Sequence, residues 1–108
     1  MMIDAYEIKD LIEQQASENG RYFEFLRKQS MSMGIYRLPA QGKDYQEPHL
    51  EDEVYYVLSG KGMLHVEGVD RPVQPGSTLF VAAHEVHYFH TISEELVLLV
   101  FFAPAEAD

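Results

Sequence analysis

Glu47-Pro48-His49-Leu50-Glu51-Asp52-Glu53-Val54-Tyr55-Tyr56-Val57-Leu58-Ser59-Gly60 is the stretch that decides the fold. Four acids and a histidine lead straight into five uncharged residues, and the run stops at a glycine. The uncharged half is rich in β-branched and aromatic side chains, the composition of a buried strand. Residues of like parity share one face of a strand, so His49 and Glu53 can point into one cavity, with Glu47 near its mouth. Asp52 should face away. Glu51 shares parity with His49 and leaves the cavity only through a bend or bulge.

Outward from this segment the pattern repeats. Candidate strands are Arg21–Arg27, Met31–Leu38, Pro48–Leu58, Met63–Glu67, Pro72–Val73, Thr78–Val81, His87–Thr91 and Leu96–Phe102. Turn signals separate them: Pro39-Ala40-Gln41-Gly42, Ser59-Gly60-Lys61-Gly62, Glu67-Gly68-Val69-Asp70, Pro75-Gly76 and Ser93-Glu94-Glu95. No helical period lies between the runs, so parallel βαβ units are not expected. The expected fold is all-β, a small antiparallel β-barrel or jelly roll, with one N-terminal α-helix. In that helix Ala5, Ile8, Leu11, Ile12 and Ala16 form one apolar stripe. Asp4 can cap it with Glu7 reaching back, and Asn19-Gly20 can stop it. The division is 1–20 helix, 21–103 barrel and 104–108 a short frayed tail, in one domain spanning 1–108.

The composition bounds the function. A chain of 108 residues should fold to about 6,100 Å² of accessible surface from roughly 18,000 Å², enough for one core. There are no cysteines, which excludes disulfides, thiolate metal sites and a cysteine nucleophile. Eighteen acids against eight bases give a net charge of −10, a poor match for nucleic acid or an anionic membrane. No lysine or arginine follows Arg71. Met1-Met2-Ile3-Asp4 has neither the basic nor the apolar part of a signal peptide. A cytoplasmic location is expected.

A second cluster, His84-Glu85-Val86-His87-Tyr88-Phe89-His90, follows the apolar run Leu79-Phe80-Val81. His87 opens a strand after a Pro-Gly turn and can face the same cavity. With His49 and Glu53 it would supply two imidazoles and one carboxylate, a set that holds a divalent first-row metal and leaves positions open. An anionic, chelating substrate would then balance the charge. The competing reading is a solvated run of acids and two hydrogen-bonded surface histidines. Against it, Glu53 directly precedes a buried strand, and a buried unpaired carboxylate is costly.

Gly42 to Gly60 resembles the first motif of the cupin superfamily: a glycine, a His-x-His pair, a glutamate three or four residues on, and a glycine after six more. Pro75-Gly76 through Thr91 resembles the second motif, whose metal-binding histidine falls on His87. The likeness covers about residues 31 to 102. It departs from the pattern where Glu47 replaces the first histidine of the pair and Gly42 sits one residue close. Ala82, His84 and Thr91 replace the usual proline, glycine and asparagine. The resemblance implies a divalent transition metal (iron, zinc, manganese or nickel) at His49, Glu53 and His87, with Glu47 or Gln46 as fourth ligand.

Two further residues are candidates for substrate contact. Tyr55 shares the parity of Glu53 and can place its hydroxyl in the cavity, or pack with that hydroxyl satisfied. Arg37 is the only base on its strand, able to clamp a carboxylate or to form a surface ion pair. His65, His84 and His90 should face outward, and Met31, Met33 and Met63 read as packing. Phe101-Phe102 with Tyr22, Phe23 and Phe25 exceed what one small core hides, which points to a homodimer seam. Taken with the resemblance, these readings point to a small mononuclear metalloenzyme, dioxygenase-like or isomerase/lyase-like, acting on a small organic molecule. The alternative is a non-catalytic small-ligand sensor of the same fold.

Overall fold

Alternation of buried and exposed residues runs through stretches of the two longest strands in the computed structural model, which describes residues 3–16 and 21–107. The elements are α1 (Ile8–Ala16), β1 (Tyr22–Arg27), β2 (Ser32–Leu38), β3 (Asp52–Val66), β4 (Val69–Val73), β5 (Thr78–Val81) and β6 (His87–Ala103). All strand pairs are antiparallel, in the order β1-β2-β6-β3-β4, with β5 on the edge of β3. No described helix is long and apolar enough to cross a membrane.

The eight expected strands are six, because two expected breaks lie inside continuous strands. β3 and β6 pair from Asp52↔Ala103 to Val66↔His87, with register shifts between Val57 and Met63. There Gly60 takes φ +96°, so Ser59-Gly60-Lys61-Gly62 bends the strand instead of ending it. Ser93-Glu94-Glu95 lies opposite this bend, within β6. Folded in this way, both strands contribute to both layers of a jelly roll. Residues from their two halves meet in one core, among them Tyr55, Val57, Leu64, Phe89, Leu98 and Val100. Burying each such aliphatic or aromatic side chain stabilises the fold by roughly 1.5–3 kcal/mol.

The helix is shorter than the expected 1–20. Its first hydrogen bonds run from the Asp10 and Leu11 amides to the Glu7 carbonyl. Asp4 does not cap it; that carboxylate pairs with Lys28 at 2.9 Å. The Asn19-Gly20 stop lies outside the described residues. Leu11, with Ile8 and Ile12, packs on Ile35, Val97, Phe23 and Phe25 on the outer face of β1, β2 and β6. The Gln15 amide donates to the carbonyls of Arg21 and Ile35 at 3.0 Å each.

The expected frayed tail is instead pinned. The Glu106 amide donates to Ser32 Oγ at 2.9 Å and the Ala107 amide to Glu51 Oε2 at 3.0 Å. Arg27 Nη2 donates to the Glu106 carbonyl at 2.7 Å. Ser32 and Glu51 are both buried, so the tail meets polar groups that water cannot satisfy.

Candidate metal centre

Three elements bring the site together. β3 presents Glu53 inward and β6 presents His87 inward, both 2 % exposed. His49 does not sit on a strand: residues 39–51 form an irregular segment, and β3 starts at Asp52. The segment is held by the His84 amide donating to the His49 carbonyl at 2.7 Å and the Phe89 amide donating to Asp44 at 2.9 Å. The His49 ring then lies edge-on to Phe102, with centroids 5.1 Å apart. A bend at Leu50-Glu51 turns Glu51 away toward the tail.

One ligand atom from each of His49, Glu53 and His87 falls within 4.8 Å of the others. His87 Nε2 is 3.2 Å and His49 Nε2 3.9 Å from Glu53 Oε1. Despite that proximity, Glu53 Oε1 and His87 Nε2 are buried without a hydrogen-bond partner; their alignment is not that of a hydrogen bond. His87 Nδ1 lies 2.9 Å from the Glu85 carbonyl and donates to it. In the neutral ring this leaves Nε2 as a lone pair facing a carboxylate oxygen. Burial pushes the His87 imidazole down, but the Glu53 carboxylate and the Glu85 carbonyl outweigh it, and the net shift is upward. The spot therefore favours positive charge. A divalent cation satisfies both orphaned atoms, and an imidazole with its other nitrogen on a carbonyl is the usual state of a metal-bound histidine.

Around the cluster lies a cavity of about 470 Å³, within the range of small-molecule sites. Glu106 reaches it from the tail, with Oε2 3.4 Å from His49 Nδ1. Burial, and then the charges of Glu53, Glu51 and Glu24, push the Glu106 carboxyl up to about 7 against the pull of Arg27. Glu47 lines the exposed mouth. Gln46 lies deeper, with Oε1 3.2 Å from His49 Nε2. Tyr55 is fully buried and donates to that same Oε1 at 3.0 Å. Burial, followed by the Glu53 charge, holds its phenol well above the ordinary value, so it remains a hydrogen-bond donor. Tyr36 donates to Asp44, and Gln46 donates to the same carboxylate.

Arg37 is not brought to the site. It lies on the outer face of β2 and pairs with Glu95 at 2.9 Å, because odd-numbered residues of that strand point outward with Ile35. His65 and His90 share Asp70 at 2.9 and 2.7 Å, and His84 is exposed. Local spacing carries no signal for Glu106, Tyr22, Tyr36 and Asp44, which reach the cavity region from distant segments. Of the aromatics expected at a seam, Phe102 belongs to the core, and Phe23 and Phe25 pack with α1.

The cupin domain family profile matches residues 34–102, and the chain belongs to that family. It is 42% identical over 103 residues to an uncharacterised protein of Streptomyces coelicolor, covering 95% of this chain and 98% of that one. It is 37% identical over 57 residues to L-ectoine synthase of Vibrio cholerae, covering 52% of this chain and 40% of that enzyme. Among solved structures, TT1209 from Thermus thermophilus superposes with a TM-score of 0.76 at 22% identity, over 95% of this chain and 99% of that chain.

Proposed function

We propose that this cupin is a mononuclear metalloenzyme acting on a small organic molecule, with His49, Glu53 and His87 as ligands of a divalent transition ion. The observation that carries the reading is the pair of buried, unpartnered atoms, Glu53 Oε1 and His87 Nε2, 3.2 Å apart. Iron, zinc, manganese and nickel all suit two imidazoles and a carboxylate. When bound, such an ion supplies Lewis acidity toward a substrate oxygen. Gln46 Oε1 is the better fourth donor, because it already converges with His49, whereas Glu47 lies out at the mouth. With Nδ1–H of His49 turned to Glu106, its Nε2 faces the ligand cluster. Tyr55 holds Gln46 and does not reach substrate.

Lyase- or isomerase-like chemistry is preferred to dioxygenase-like chemistry. The activity named among the relatives above is that of a synthase. Oxygen uptake by iron-loaded protein with a panel of small acids, amines and sugars would reverse that preference. A second reading, a non-catalytic binding module, draws on the exposed position of Glu47, where the family pattern has a histidine. Saturable ligand binding without turnover by metal-replete protein would favour it.

The test of the metal reading is elemental analysis of protein purified without added metal. Near-stoichiometric transition metal is expected, and His49→Ala with His87→Ala should abolish it. Wild-type protein that stays empty after reconstitution would refute the reading.

We also propose a homodimer through the outer face of β3, β5 and β6. There Val54, Tyr56, Thr78, Leu99 and Phe101 line an uncharged trough, beside Phe80, which is 63 % exposed. Two chains of net charge −10 repel each other except across an uncharged face.

A further inference from the structure

The cavity has a second property that the metal reading leaves unused. Its wall is aromatic, and carboxyl groups outnumber the bases around it. Tyr36, Tyr22 and Phe102 follow one another edge to face, with centroids 6.2 Å apart at 71° and 6.3 Å apart at 80°. Tyr45 stands at the exposed lip. The carboxyls of Glu47, Glu53 and Glu106 open onto the same space, and no lysine or arginine lines it among the described residues.

The bases of the neighbouring strands are already engaged, although the Arg27 charge acts on Glu106 and Tyr22 and Arg21 interacts with the Tyr36 hydroxyl. Arg27 holds Glu24 and the Glu106 carbonyl, Arg21 holds the Lys43 carbonyl, and Arg37 holds Glu95. A guanidinium or ammonium clamp favours an anionic substrate, and no lysine or arginine lines the cavity among the described residues. A divalent ion at Glu53 leaves one positive charge over, which Glu47 cancels, and Glu106 adds negative charge in its ionised form. Aromatic faces carry the negative side of the ring quadrupole and attract cations. The Tyr22 ring can lie there because residue 34 is glycine: a Cβ on Gly34 would stand 2.3 Å from Tyr22 Cζ.

We propose that the substrate or ligand is an organic cation, a small ammonium compound. Its cationic head lies among Tyr22, Tyr36, Tyr45, Glu47 and Glu106, and its other end points toward Glu53 and His87. This replaces the anionic chelator expected from the ligand set alone. The inference rests on reading this cavity as the working site, and it gives the substrate class of that site.

Choline and its uncharged isostere 3,3-dimethyl-1-butanol separate charge from shape. Each is titrated by calorimetry into the full chain as purified and after chelation, with hexanoate as the anionic probe. Choline should bind saturably and about tenfold more tightly than the neutral isostere, a margin within reach of cation–π contacts in a partly desolvated site. Hexanoate should not bind. The double substitution Glu47→Gln with Glu106→Gln should weaken choline by about tenfold, and Tyr45→Ala, at an exposed position, by a few-fold. Equal affinity for the isostere, preference for hexanoate, or an unchanged choline affinity in both variants would overturn the proposal. Elemental analysis of the same samples keeps the two readings apart. Choline preference in a chain that never takes up metal sinks the metal alone, and metal uptake without choline preference sinks the cation alone.

Discussion

At the scale of single residues, the site is an electrostatic problem that the fold leaves open. Glu53 and His87 are buried side by side without a hydrogen bond between them, and a buried unpaired carboxylate costs free energy. Glu53→Gln should abolish metal binding while leaving the metal-free protein folded. Urea unfolding in the presence of chelator, with elemental analysis alongside, checks both parts. Asp70 presents the opposite case. Hydrogen bonds from His65 and then His90 lower its carboxyl below the ordinary value. A group whose folded pKa is depressed stabilises above its unfolded value, about 3.9, and loses that contribution as pH falls through the folded value. Wild type should exceed Asp70→Asn in Tm at pH 7, and the gap should close as the pH falls from the unfolded value through the lower folded one. The spacing of His49, Glu53 and His87 made them legible as a group, since ligand residues must recur at intervals that strands and turns can bring together. Glu106 was not legible, because a lone acid in a C-terminal stretch looks like any other solvated charge.

At the scale of elements, the glycine positions carry the difference between turn and bend. A Cβ at Gly60 would lie 2.0 Å from the Glu95 carbonyl oxygen and 2.7 Å from Leu96 Cα, at φ +96°. Both obstacles are backbone, so nothing flexible can yield. Gly60→Ala should cost about 3 kcal/mol or more, read by denaturant titration. From the sequence, Ser59-Gly60-Lys61-Gly62 is indistinguishable from a hairpin turn, because glycine serves both purposes equally well. What separates them is whether β6 is present alongside to continue the ladder, and residue order does not state that. The helix shows a similar limit. Its apolar stripe was legible from Ile8, Leu11 and Ile12, but its start was not: it begins at Ile8, and Asp4 pairs with Lys28 across the chain.

At the scale of the whole molecule, the proposed metal site links ion binding to folding. An ion present at a hundred times its Kd adds about 2.7 kcal/mol. For a chain of this size that corresponds to roughly 10–20 °C in Tm. Chelation followed by differential scanning calorimetry should show a drop of that order, and readdition of zinc or iron should reverse it. An unchanged Tm would mean that the three ligands hold nothing. The uncharged face of β3, β5 and β6 makes a separate prediction. Phe80→Asp should convert a dimer into a monomer in light scattering without lowering monomer stability, because that side chain is already in solvent.

Residue order alone determined that this chain would be an antiparallel β-structure with one helix, and which imidazoles and carboxylate could share a pocket. Alternation, glycine placement and ligand spacing are local properties, written within a dozen residues. Tertiary structure decided the character of that pocket: its aromatic wall from β1 and β2, the carboxyl delivered by the tail, and the removal of Arg37 to the outer face. Those features join segments as distant as Tyr22 and Glu106. They arise because a bent sheet closes on itself, and which side chains then face one another depends on register across strands.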